Sequence, residues 1–195
     1  EFGYFLADLI FKNKGLNVPE TQLVYDRYRR PSFICFELGL TIVPGSYMPY
    51  PGMHTEFKAG PTVGVQGAWF ASPYVGVGGR LAVTNLEMSV NGVSQDSDFE
   101  SCSAAAGLYL SYPLSARWLL GAKALGGFEH YKTCRTSLYE LGGRGGFVLG
   151  TGISSTYLAS QNFGIRFATD YDMAPPFAGG SRQRLHKLIL TLEAC

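Results

Sequence analysis

Charge is scarce in this chain. Asp, Glu, Lys and Arg make up 16% of its 195 residues, against about a quarter in ordinary soluble domains. A net charge of +1 and the lack of any Lys/Arg stripe argue against a nucleic-acid partner. Long apolar runs are missing too. A membrane-spanning helix needs about 18–20 consecutive apolar residues, and the nearest candidate, "GYFLADLIF", is short and carries Asp8. The cysteines Cys35, Cys102, Cys134 and Cys195 have no C-x-x-C spacing and no histidine at metal-ligand distance, so neither a metal nor a cofactor is expected. The chain opens on Glu1-Phe2 without an initiator methionine or a signal-peptide pattern. It reads as a mature or trimmed product, or as the last domain of something longer.

What is abundant is glycine, with 25 residues, and aromatics, at 14%. That much glycine disfavours a helical protein. From Phe33 onward the sequence alternates with the period of a strand. In "FICFELGLTIV" (33–43), Ile34, Phe36, Leu38, Leu40 and Ile42 oppose Cys35, Glu37, Gly39 and Thr41. In 57–69, Phe57, Val63, Val65 and Trp69 oppose Gly60, Thr62, Gly64 and Gln66. In 74–83, Val75, Val77, Leu81 and Val83 oppose Gly76, Gly78, Arg80 and Ala82. The segments 100–112, 117–129, 146–154, 163–171 and 186–193 continue the pattern, placing Lys123, Arg166 and Asp170 on the face rich in small residues. Short connections at 71–73, 113–115 and 158–161 alternate with long ones at 44–56, 86–98, 131–143 and 172–183. The expectation is an all-β, antiparallel up-and-down barrel of about eight strands, with hairpins repeating about every 44 residues.

Alternation alone does not say which face is wet. Three features point to an apolar exterior. The small face carries too little bulk to fill an apolar core at normal density. The same face collects Glu37, Gln66, Arg80, Lys123, Arg166 and Asp170. Aromatics flank every short turn: Trp69, Phe70 and Tyr74; Tyr112 and Trp118; Tyr157 and Phe163. Trp and Tyr gather at bilayer interfaces, where an apolar ring keeps a wet polar edge. A second aromatic set, Phe57, Phe99, Phe128, Tyr131, Phe147 and Tyr171, marks the long-loop ends.

On this pattern, residues 33–195 resemble the small bacterial outer-membrane barrels of the OmpA/OmpX type. The resemblance implies residence in the outer membrane of a Gram-negative cell, contact with its lipids, and short turns on the periplasmic side. Such barrels usually end on an aromatic residue, whereas this chain ends Glu193-Ala194-Cys195. Residues 1–31 form a separate N-terminal segment, periplasmic or interfacial, or the end of an upstream domain. Its "FGYFLADLIFKNKG" is expected as a short amphipathic helix or turn stopping near Gly15; the barrel is assigned to 32–195.

The expected function is that of a structural or interaction module, its long loops meeting other envelope proteins; 44–54, rich in Tyr, Met and Pro, suits protein contact. The alternatives are a narrow, basic-leaning pore for small solutes or anions, and an enzyme modifying lipids at the rim. The rim candidates are His54 with Glu56, His130 after Glu129, and His186 before Lys187, with Ser46, Ser89 and Ser137 in nearby loops. No triad is implied, and catalysis is the lesser expectation. A soluble lipocalin-like carrier is the remaining reading. Cys35 and Cys195 become neighbours when the barrel closes, so a bridge is geometrically possible, although free thiols are expected.

Overall fold

A computed structural model describes residues 32–94, 99–115, 117–132, 134–135, 140–141, 143–159, 163–176 and 183–195. The expected helix or turn within 1–31 lies outside these residues.

Among the described residues fourteen strands follow in chain order. They are β1 (Phe33–Ile42), β2 (Ser46–Tyr50), β3 (Met53–Phe57), β4 (Gly60–Phe70), β5 (Val75–Leu86), β6 (Met88–Val90) and β7 (Val93–Ser94). The second half contains β8 (Phe99–Pro113), β9 (Trp118–Tyr131), β10 (Cys134–Arg135), β11 (Glu140–Leu141), β12 (Gly145–Leu158), β13 (Gly164–Ala174) and β14 (Leu185–Ala194). Eight of them, β1, β4, β5, β8, β9, β12, β13 and β14, pair antiparallel with their chain neighbours, and β14 returns to β1 to close a barrel. Closure removes the free edges that an open sheet of this length would present.

The face with the large apolar side chains is the outside. Leu38 is 65% exposed, while its neighbour Glu37 is 1% exposed. Ile34, Phe36, Leu81, Leu108, Phe128, Ile153, Phe167 and Leu192 continue this belt around the barrel. A surface of this kind is stable against hydrocarbon rather than water, since each exposed apolar area in water carries a free-energy cost. The chain is therefore a transmembrane β-barrel, and its belt meets lipid.

The long connections hold more structure than loops. Residues 44–56 and 86–98, expected as plain loops, contribute β2, β3, β6 and β7, which pair as a second sheet at the long-loop end. Its last hairpin turns on Asn91-Gly92, with φ of 49° and 80°; two residues in the left-handed region suit the primed turn that joins a right-twisted pair. A shorter hairpin, β10–β11, lies in 131–143.

Phe57, expected on the outer face of a strand, instead ends β3 and is buried. With Val43, Tyr47, Met53, Leu86, Met88, Phe99, Tyr131 and Leu185 it forms an apolar cluster across the long-loop mouth. Phe57, Phe99 and Tyr131 pack as a run of rings with centroids 5.0 and 5.1 Å apart. Of the second aromatic set, only Phe128, Phe147 and Tyr171 face outward. A smaller cluster of Ala68, Phe70, Tyr109 and Leu125, with Phe33 packed against it, fills the short-turn end.

Candidate functional site: the plugged lumen and the loop sheet

Even-numbered residues of β4 and β5 and odd-numbered residues of β1, β8, β9 and β14 point into the barrel, so a single register brings charge from separate strands to one axis. Arg80 Nε donates to Glu37 Oε2 at 2.8 Å. Its Nη1 lies 3.6 Å from Asp170 Oδ2 and 3.4 Å from Asp172 Oδ2. Lys123 Nζ stands 2.8 Å from Asp170 Oδ2 and donates to Gln66 Oε1 at 3.0 Å. Tyr109 also donates its hydroxyl to Gln66 Oε1, at 3.1 Å. Thus five of the six predicted lumenal residues meet in one network.

The sixth, Arg166, sits nearer the short-turn end. Its Nε donates to Thr156 Oγ1 at 2.9 Å, Nη1 is 3.6 Å from Glu193 Oε2, and the guanidinium lies 3.7 Å from the Phe33 ring centroid. A cation over an aromatic face is attracted by the ring quadrupole. Near the long-loop end, Lys187 pairs with Glu129 and donates to Ser101 at 3.0 Å. Hydroxyls of Thr41, Thr62 and Thr84 form a chain at 2.5 and 2.9 Å.

Asp172 falls within the long connection 172–183 expected from sequence, yet it belongs to β13. Continuing the period by one residue would have placed Asp172 inward. Glu129, Lys187 and Glu193 were on the correct face, but sequence offered no way to name their partners. With them the described lumen holds five carboxylates, Glu37, Glu129, Asp170, Asp172 and Glu193, against four cations, Arg80, Lys123, Arg166 and Lys187. The basic lean expected for a pore is thereby corrected to a slight acidic excess.

The glycines supply the room these side chains need. A Cβ on Gly64 would stand 3.2 Å from Glu37 Oε2, one on Gly150 would stand 2.5 Å from Asp172 Oδ1, and one on Gly152 would run into Asp170. Glycine on this face therefore makes space for ion pairs rather than leaving a channel. A void of about 10 Å³ bounded by Arg80, Ser103, Leu125, Val148 and Asp172 remains, enough for about one water.

At the short-turn end the girdle separates into two groups. Trp69, Trp118 and Phe163 are exposed, at 55%, 42% and 47%, and Tyr112 and Tyr157 are half-buried. Trp118 and Tyr157 face one another across β9 and β12 with centroids 5.2 Å apart, and Arg117 Nη1 donates to the Tyr157 hydroxyl at 3.1 Å. Phe70 and Tyr74 are corrections to the girdle, since both are buried. Phe70 shares the inward face of Gln66 and Ala68 and packs 6.3 Å from Phe33; Tyr74 lies under the turn, stacked on Tyr112 at 6.4 Å.

The candidate rim chemistry is dispersed. Alternation sends Glu129 and Lys187 inward while His130 and His186 remain outside. His186 Nδ1 shares a hydrogen bond of 2.6 Å with the Tyr171 hydroxyl. His54 and Glu56 share the exposed face of β3, and register sets Glu56 between Ser46 and Ser89. Among the described residues no histidine ring is hydrogen-bonded to a serine or carboxylate; Ser137 lies outside them. Beyond the spans, Lys132 donates to Glu100 at 2.8 Å, which holds its ammonium above the ordinary lysine value.

Cys35 and Cys195 are joined in a disulfide, with Cα atoms 4.1 Å apart. This corrects the expectation of free thiols; Cys102 is free and exposed. The two sulfurs and the Glu193 carboxylate gather closely enough to suggest a metal cluster, but sulfurs bonded to each other offer no thiolate to a metal.

No protein-family model matches the chain, and no curated protein matches it. Solved structures do. The Neisserial surface protein A superposes with a TM-score of 0.57 at 8% identity, covering 83% of this chain and 94% of that one. The outer membrane protein OprG from Pseudomonas aeruginosa gives 0.59 at 11% identity, covering 83% and 91%. The Yersinia pestis outer membrane protein Ail gives 0.46 at 19% identity, covering 82% and 96%. The chain has the fold of the eight-stranded outer-membrane barrels.

Proposed function

We propose that the chain serves in the bacterial outer membrane as a non-conducting barrel that presents its loop sheet to other envelope components. The observation that carries this reading is the apolar cluster under the loop sheet, stacked above a lumen filled by paired charges. A barrel sealed in two ways supports display better than permeation, and loops on a rigid scaffold are the usual place for recognition.

The test has two arms. The protein reconstituted in planar bilayers is expected to give no discrete conductance. A photo-crosslinker at Met48, exposed on the loop sheet, is expected to capture protein neighbours in intact envelopes, while one at Leu38 captures lipid alone. Ohmic channels would reject the first half; identical lipid-only capture at both positions would reject the second.

A further inference from the structure

We propose that the Cys35–Cys195 disulfide is a lock on the barrel seam, holding the first and last strands in register at the short-turn end. The seam is the shortest ladder in the barrel. It runs from Phe36↔Ala194 to Ile42↔Leu188, seven residues, against thirteen between β9 and β12. It also sets Glu37 directly opposite Glu193, and like charges in that position destabilise a pair of strands. Arg80 and Arg166 each take one of these carboxylates, so the seam depends on side chains borrowed from other strands.

The sulfur bridge extends this ladder where it ends. Cys195 exchanges both backbone hydrogen bonds with Gly164, each 2.9 Å, so its strand is held on the β13 side. On the β1 side the last registered pair is Phe36↔Ala194. The next residues along the two strands are Cys35, which is buried, and Cys195, which is half-buried, and the two are joined. A slip of one residue would turn every side chain of a strand to the wrong face, and the covalent link forbids that slip. The two cysteines are 160 residues apart in sequence, and the native pair meets as the seam closes. Formation transfers two electrons and two protons from the thiols to an external protein disulfide, which leaves as a dithiol.

The full chain, folded into lipid vesicles without reductant, is expected to leave Cys35 and Cys195 unlabelled by a membrane-permeant maleimide that reaches Cys102. Mass spectrometry should recover the Cys35 peptide joined to the Cys195 peptide. Reduction of the same folded protein should speed amide exchange along 36–42 and 188–194 by roughly tenfold or more, with the β9–β12 ladder unchanged. The C35S/C195S variant should match the reduced protein; should it fail to fold, the two redox states of the wild type still decide. A labelled Cys35 in the unreduced folded protein, seam exchange indifferent to reduction, or a speed-up spread evenly over all strands overturns the proposal.

Discussion

Adjacent residues of one strand live in opposite solvents here, and substitutions should divide accordingly. Leu38 faces the belt and Glu37 the lumen. Leu38→Arg, at the middle of β1, is expected to cost about 2–4 kcal/mol, measured as urea stability in vesicles. Arg80→Met leaves Glu37 without its charged partner and removes a cation from Asp170 and Asp172. Breaking a buried pair from one side costs about 3–5 kcal/mol, so this variant should unfold at markedly lower urea. The companion R80M/E37L, which removes both charges of the closest pair, is expected to recover part of that loss. Had the network been a mere surface decoration, R80M would unfold like the wild type.

Strands are kept in register by size as much as by polarity. Gly152 pairs with Lys123 on one side and Asp170 on the other, and the position next to the ion pair has no space for a branched side chain. Gly152→Val is expected to cost about 1–3 kcal/mol by overpacking, seen as a smaller heat-modifiable fraction on gels. The same substitution at Gly126, whose Cβ would meet the Phe147 ring at 3.4 Å on the lipid face, is expected to be milder. Alternation makes these faces legible in the sequence, because period two is a local property of extended backbone. It fails at strand ends: alternation puts Phe57 on a barrel strand where the fold has it in β3, and puts Asp172 in a loop where the fold has it in β13. Strand ends are decided by what packs over them, which alternation does not record.

For the molecule as a whole, orientation in the bilayer follows from its surface. Trp69 and Trp118 are exposed near the short turns, so both should be quenched by lipids carrying a quencher close to the headgroup and little by one at the chain terminus. Strong quenching from the chain end would remove the girdle assignment.

Composition and alternation determined that the chain is an inside-out barrel, and they named the inward charges Glu37, Arg80, Lys123, Arg166 and Asp170 together with the polar Gln66. Those are statements about which side of a strand a residue occupies, and the side follows from its parity in the sequence. Tertiary structure decided the partners: Arg80 with Asp172 across 92 residues, Lys187 with Glu129, Cys35 with Cys195, and the apolar seal under a sheet built from two separate loops. Partnership across a barrel depends on stagger and closure, summed over all eight strands, and no local stretch of sequence carries that sum.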